Sequence, residues 1–331
     1  MKKPEEMITS IANILDIPIV PEEIIKAASR GRLVIFVGAG VSRLIGCPSW
    51  REFAEKHLQY VYEKKCINYH EYVNLKKLDT RKILSICRSI LEKNGIGPPD
   101  NKAFLDPKPR LKTKYNIFKN IYDMNAIYVT TNYDGNLDEF VKNRLTPVST
   151  EIDPSIDPTT ISTKPTKGKV LYLEKELLIS ELTNGNVIHL HGSAIDERSL
   201  IITVDDYLRL YETDKNPAVL LTKIFNNYTV LFVGYGLEEY EILEFMINKS
   251  RVASQELRHY MLYPIFEEEI NLLRFHKTYY EKLGINLISY PIGQNGHEHL
   301  DAVIEEWAKI IGIKSKPQKF LDRRNIIDEA L

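Results

Sequence analysis

The sequence predicts an α/β fold: a doubly wound, Rossmann-like parallel sheet with a helical insertion. Three observations predict it. Leu33-Val34-Ile35-Phe36-Val37 is an unbroken run of apolar strand formers that feeds into Gly38-Ala39-Gly40, as suits a strand covered on both faces. Strand-like runs then alternate with helical patterns along most of the chain. Four of the strands end in small or polar residues, at the carboxyl ends where such sheets hold their ligands.

The elements follow in order. A short helix is expected over Met7 to Leu15. Pro21 suits a first helical position and Glu22 and Glu23 the first turn, so a second helix runs from Glu22 to Ser29, with Gly31 ending it. The Leu33–Val37 strand comes next. From Trp50 to about Asp123 the chain is mostly helical, with apolar residues three and four apart in Phe53, Leu58, Val61 and Tyr62 and again in Ile83, Leu84, Cys87, Ile90 and Leu91. Asn94-Gly95-Ile96-Gly97-Pro98-Pro99 interrupts it and Leu111 to Tyr122 resumes it. Residues 50–125 therefore read as a helical insertion beside the glycine loop.

A second strand, Ala126 to Thr130, ends in Thr131-Asn132-Tyr133-Asp134-Gly135, ahead of the amphipathic Leu137 to Val141. Pro147 to Lys169 is rich in Pro, Thr, Ser and Asp and reads as a loop. A third strand, Val187 to His191, stops at Gly192-Ser193. Further strands are expected at Leu200 to Val204, Thr229 to Val233 (running into Gly234-Tyr235-Gly236), Tyr260 to Pro264 and Ile285 to Tyr290. Helices are expected at Glu238 to Asn248, Glu267 to Leu283 and His297 to Ile310. A basic tail over 314–331, with Phe320-Leu321 as an apolar anchor, completes a single domain over 1–331.

Composition narrows the class. At 331 residues the chain can bury a substantial core. Lys plus Arg, 44, nearly cancels Asp plus Glu, 45, so the net charge of -1 exerts no global pull on nucleic acid, and only a local basic patch is left open. The three cysteines form no CxxC pair, which argues against a disulfide framework and for a reducing, cytoplasmic compartment. The first residues, MKKPEEMITSIANILDIPIVPEE, do not make a signal peptide, and no apolar run approaches the ~20 residues that span a bilayer. The expectation is a soluble protein with no membrane partner.

Gly38-x-Gly40 lacks the third glycine of GxGxxG, where Arg43 stands, and no GxxxxGK[ST] occurs. Alone it suits either a dinucleotide loop, its backbone close to a pyrophosphate, or a tight turn that binds nothing. Its company adds chemistry. Thr131-Asn132-Tyr133-Asp134 and His189-Leu190-His191-Gly192-Ser193 end two later strands. An Asn amide can hold a water or a ribose hydroxyl, and a histidine near its reference pKa of about 6.5 can take a proton at neutral pH. Asn132 and Asp134 are also ordinary turn formers, His191 also suits a satisfied strand-end histidine, and Gly234 and Gly236 also suit a simple turn. His189, two residues back inside the strand, reads as structural. His297 and His299 beside Glu298 and Asp301 read as a solvated helix start, and no metal site is expected.

Gly38-Ala39-Gly40-Val41-Ser42, then Asn132-Tyr133-Asp134, then His191-Gly192, in that order and strand context, resemble the sirtuin superfamily from about residue 33 to 240. Gly46-Cys47-Pro48-Ser49-Trp50-Arg51 is similar to the sirtuin cofactor loop Gly-Ile-Pro-Asp-Phe-Arg. The departures matter as much. No cysteine follows Cys87, so the four-cysteine zinc module of the deacetylases cannot form. Ser49 replaces the loop aspartate and Thr131 the glutamine before Asn132.

The whole pattern resembles the zinc-free, sirtuin-like domains of bacterial anti-phage defence proteins. That resemblance implies NAD as a substrate cleaved to nicotinamide and ADP-ribose, without zinc. It implies that Asn132 positions ribose or water, that His191 is the base, that Asp134 meets the nicotinamide carboxamide, and that Thr131 belongs to the cofactor-binding set. Gly38, Ala39, Gly40 and Ser42 would cradle phosphate; Pro48, Trp50 and Arg51 would form the cofactor loop; Gly234 and Gly236 would meet the adenosine ribose. It also implies a regulated effector, a homo-oligomer, and a trigger on a second protein such as a hexameric DNA-translocase ATPase of the HerA type. Two alternatives stay open: a deacylase or ADP-ribosyltransferase, and a module that senses NAD or ADP-ribose without turnover.

Overall fold

Leu33–Val37 (β1) is buried at all five positions, because helices cover both of its faces. The computed structural model describes residues 17–143, 168–212, 215–236, 259–292 and 297–314, together with Ile242 and Met246. The expected helix at Met7 to Leu15, most of the Pro147 to Lys169 loop, most of the Glu238 to Asn248 helix, and the tail beyond Lys314 lie outside the described residues.

In chain order, α1 is Glu22–Ser29, followed by β1 and then α2 at Ala39–Leu44. The helical block comprises α3 (Trp50–Glu63), α4 (Tyr69–Leu75), α5 (Thr80–Lys93), α6 (Asn101–Leu105), α7 (Pro109–Lys114) and α8 (Ile117–Asp123). Then come β2 (Ile127–Thr130), β3 (Val170–Leu171), β4 (Val187–His189), α9 (Val204–Leu210), α10 (Asn216–Asn227), β5 (Thr229–Val233), β6 (His259–Ile265), α11 (Leu273–Lys282), β7 (Ile285–Pro291) and α12 (His299–Lys314).

The strands form one seven-stranded sheet in the order β3-β4-β2-β1-β5-β6-β7, with every neighbouring pair parallel. The chain winds outward from β1 on one side and then returns to its other side as β5, so the topological switch lies beside β1. Alternation along β1 feeds two cores. Leu33, Ile35 and Val37 join the core under α1, α8 and α12, whereas Val34 and Phe36 join the one under α10 and α11. The fully buried Trp307 of α12 fills the first core beside Val20 and Ile24, and its Nε1–H donates to the Pro18 carbonyl at 2.7 Å.

A third core belongs to the helical block. Phe53, Leu58 and Val61 of α3 pack on Ile83, Leu84 and Cys87 of α5, and the same cluster takes in Tyr133, Ala194, Leu200 and Ile202 from beyond the strand ends. The block therefore sits on the carboxyl edge of the sheet. Its helices start sharply: Ser49 and Glu52 form a reciprocal capping box at α3, and Asp79 caps α5.

Several expectations change. Leu200 to Val204 is not a strand; it runs into α9, because Thr203 and Asp206 form a capping box that turns those residues into a helix start. The third strand ends at His189, and Leu190-His191 already turn. The stretch read as a loop up to Lys169 is followed at once by the short edge strand β3, in register with Val187 and Ile188. Leu111 to Tyr122 is split into α7 and α8 at Tyr115-Asn116, and Glu267 to Leu283 opens as a 3-10 turn before α11. Among the described residues no helix is long and apolar enough to cross a membrane.

Candidate functional site

Parallel strands bring all their carboxyl ends to one edge, so Gly38, Thr131-Asn132, Leu190-His191 and Gly234 lie along the same side of the sheet. Gly38 caps α2, and Ala39 is exposed at its start. The glycines here answer a packing demand. A Cβ on Gly38 would stand 2.4 Å from the Gly234 carbonyl oxygen and 2.5 Å from Tyr235 Cα, and one on Gly40 would stand 2.8 Å from the same oxygen. Gly234 has φ +60 and would bring its own Cβ within 2.6 Å of the Val41 nitrogen. The Gly38 N–H donates to Val233 O at 2.9 Å and the Gly40 N–H to Gly234 O at 2.8 Å. The exits of β1 and β5 thus interlock at the switch point through their own backbone contacts. Gly236, beyond them, is exposed.

Around this interlock runs a chain of polar side chains. Asn132 Nδ2 donates to Ser42 Oγ at 3.1 Å, and the Ser42 hydroxyl in turn donates to Asp134 Oδ2 at 2.7 Å. Asn136 donates to the other Asp134 oxygen from Nδ2 at 2.6 Å and from its backbone at 3.2 Å. Thr130 Oγ1 donates to Val37 O at 2.7 Å and accepts the Asn132 N–H at 3.0 Å, which fixes the turn that presents Asn132. The network stitches α2 to the exit of β2, with Ser42 buried and Asn132 and Asp134 half-buried. Asn136 also reaches Cys47 Sγ at 3.6 Å. Burial, and then the charge of Asp134, push that thiol up to about 12, so it is no nucleophile at neutral pH.

His189 is fully buried between two acceptors, the Asn132 carbonyl at 2.9 Å from Nδ1 and Asp138 Oδ1 at 2.9 Å from Nε2. Satisfying both requires a proton on each nitrogen, so the ring is an imidazolium paired with a buried carboxylate. Burial alone would push its pKa down; the hydrogen bond and charge of Asp138, with the Asn132 carbonyl, outweigh it and raise the pKa. The pair anchors the Asn132 backbone from below.

His191 is as deeply buried but has different partners. It is 1 % exposed, its Nε2 lies 2.7 Å from the Tyr211 hydroxyl and its Nδ1 3.5 Å from that of Tyr207. Burial, and then the positive charge of Arg81, push its pKa down to about 3, so the ring is neutral. Gly192 then turns the chain with φ +81, where a Cβ would meet Ser199 O at 2.0 Å.

The structure brings Ser42, Asn132 and Asp134 into direct contact and leaves His191 in the company of α9. Trp50 stacks on Phe53 at 5.7 Å and tilts against Tyr133 at 5.6 Å, adjacent to Asn132. Pro48 is half-buried ahead of the α3 cap and Thr131 is buried under the β2 exit. Arg51 pairs with Glu55 at 2.9 Å and donates to the carbonyls of Leu78 and Lys76, so it ties the turn after α4 to α3. Asn136, Asp138, Tyr207 and Tyr211 escape sequence reasoning; the four-residue spacing of the tyrosines and the DGN turn are their only local signals. Two clefts, of about 430 Å³ beside Asp123 and Lys309 and about 180 Å³ between His57, Arg88 and Ile202, lie elsewhere. Among the described residues, no three His, Cys, Asp or Glu side chains are grouped to hold a metal ion.

Residues 126–288 match the SIR2-like domain family model. That stretch takes in the β2 exit, both histidines, α9 and the β5 exit. Defense-associated sirtuin 2 from Bacillus subtilis is 23% identical over 321 residues, which are 91% of this chain and 27% of that protein. The chain thus spans about a quarter of the length of the curated relative it matches.

Proposed function

We propose that this chain, a sirtuin-like protein that carries a SIR2-like domain, is an NAD glycohydrolase that releases nicotinamide and ADP-ribose as an anti-phage effector. The observation that carries the reading is the Ser42–Asn132–Asp134 network, placed where β1, β2 and β4 discharge their ends. SIR2-like domains bind NAD, and the name of the Bacillus subtilis relative supports the defence role.

The chemistry suits these residues. The nicotinamide of NAD is a cation that leaves neutral, so its departure needs no general acid. What the site must supply is stabilisation of an electron-poor ribose carbon and a held water. Asn132, whose amide is oriented by Ser42 and whose backbone is gripped by His189, is proposed to position ribose or water. Asp134, kept in place by Ser42 and Asn136, is proposed to take the carboxamide N–H, with Thr131 beside it. His191 is proposed as the proton acceptor, Trp50 and Pro48 as the wall over the nicotinamide, and Arg51 as the residue that orders that wall. Gly38, Ala39, Gly40, Gly234 and Gly236 are proposed to border the phosphates and adenosine ribose. NAD serves here as substrate, with no redox role and no zinc. The proposal extends to a homo-oligomer that a second protein, such as an ATPase of the HerA type, switches on.

Incubating the purified chain with NAD, with and without an acetylated peptide, tests it. Nicotinamide release without peptide, lost in Asn132→Ala at an unchanged melting temperature, is the expected result. Release that requires the peptide would assign a deacylase, saturable NAD binding without release would assign a sensor, and full activity in Asn132→Ala would remove that residue from the reaction.

A further inference from the structure

His191 is the group the proposed cleavage asks to accept a proton, yet both of its ring nitrogens face one short helix. Tyr207 stands edge-on to the imidazole with ring centroids 4.8 Å apart, and the Tyr211 hydroxyl is 2.7 Å from Nε2. The two tyrosines are four residues apart, so they share a face at the carboxyl end of α9. The helix is itself fastened to α5 by residues at i, i+4 and i+7 of a single stripe. The Arg81 guanidinium lies 4.1 Å from the Tyr207 ring centroid, on the ring face. Ser85 Oγ accepts the Val204 N–H at 3.1 Å. Arg88 Nη1 meets Asp206 Oδ2 at 2.6 Å, and that same oxygen accepts the Ile202 and Thr203 N–H groups, so the ion pair grips the turn that begins α9.

We propose that α9 is a cover closed over His191, in which Tyr207 and Tyr211 are positioning residues and the Arg81, Ser85 and Arg88 stripe of α5 is the latch. Closed, it keeps substrate and water from the imidazole; opened, it delivers a neutral ring to the exit of β2. The link to catalysis rests on the role proposed for His191, whereas the cover stands on geometry alone. Arg88 is more than one-third exposed, so the latch can be released from the solvent side, whereas Tyr207 and Leu210 are buried and Ile202 packs in the third core, so opening the cover is a local unfolding of α9 that exposes those side chains and stops short of global unfolding. Because α5 belongs to the helical block, a partner or neighbouring subunit that shifts the block needs no contact with the strand ends to act on them.

Labelling of the full chain with diethyl pyrocarbonate, mapped by peptide mass, reads the cover directly, and nicotinamide release is followed in the same samples. Arg88→Met cuts the latch and Tyr211→Phe removes the hydroxyl that meets Nε2. Both are expected to label His191 about tenfold faster than the parent chain, as a small loss of local opening cost gives. His189, locked by Asp138, stays protected in both and marks the opening as local. Faster labelling together with faster nicotinamide release supports the cover and its catalytic role. Faster labelling without release supports the cover and counts against the NAD reading. Labelling at the parent rate in both variants overturns the cover, and Tyr211→Phe, which removes a single hydroxyl, decides the matter should Arg88→Met fail to fold.

Discussion

Adding one methyl group at Gly38 separates two accounts of the glycine loop. In Gly38→Ala the new carbon would lie 2.4 Å from the Gly234 oxygen, 2.5 Å from Tyr235 Cα and 2.7 Å from Tyr235 Cδ2. These fall short of ordinary van der Waals contact by about 1 Å. Two of the three atoms are backbone, and that backbone is pinned by the Gly40 N–H to Gly234 O hydrogen bond at 2.8 Å. No flexible side-chain tip can yield, so the exits of β1 and β5 must part. Overpacking of this kind costs about 1–3 kcal/mol, and the rigid surroundings place Gly38→Ala near the top of that range. A loss of about 3 kcal/mol lowers the melting temperature by about 4 °C in a chain of 331 residues. The assay is thermal and urea unfolding followed by circular dichroism with no NAD present. Gly97→Ala, whose added carbon meets nothing within 4 Å, is the control and is expected to stay within about 0.5 kcal/mol of the parent. A Gly38→Ala protein that melts within about 1 °C of the parent but no longer binds NAD would refute the packing account and return the glycine to the ligand.

Two further outcomes follow from buried groups. The His189 imidazolium has a raised pKa, so its pairing with Asp138 adds stability that is fully present below the unfolded histidine value of about 6.5 and fades as pH rises through the folded value. Asp138→Asn should therefore lower the urea midpoint more at pH 5.5 than at pH 9, and a gap that widens with pH would contradict the ion pair. Burial pushes the Cys87 thiol, like that of Cys47, up to about 12, and both are buried whereas Cys66 is half-buried. Ellman's reagent at pH 8 should find one prompt thiol in the native chain and three in denaturant; three prompt thiols would contradict the burial.

Much of the sheet is legible in single residues. Leu33–Val37 announces a two-faced burial by having no polar alternation, and Pro21 with Glu22 and Glu23 marks the start of α1. Leu200 to Val204 misleads, since its strand-forming residues are outbid locally: the Asp206 carboxylate collects the Ile202 and Thr203 amides and starts a helix instead. Val170–Leu171 is too short for any periodicity to register. At the site, the spacing of Asn132 and Asp134 is visible in the chain, but their link through Ser42 spans 92 residues for Asp134 and 90 for Asn132. The glycines are ambiguous for a physical reason: close approach of a backbone carbonyl and close approach of a phosphate make the same demand for a missing Cβ. The contrast between an ionised His189 and a neutral His191 depends on whether the neighbours are carboxylate or phenol, and those neighbours arrive from other parts of the chain.

The clasp between Trp307 and Pro18 joins residues 289 apart. A ribosome adding about 5–20 residues per second needs roughly 15–60 s to travel that distance. For most of that interval the face of β1 that carries Leu33 and Ile35 has been made but is without α12. That apolar face thus waits on a helix made much later, and the nascent chain needs shelter from its neighbours for longer than its individual strands and helices need to form.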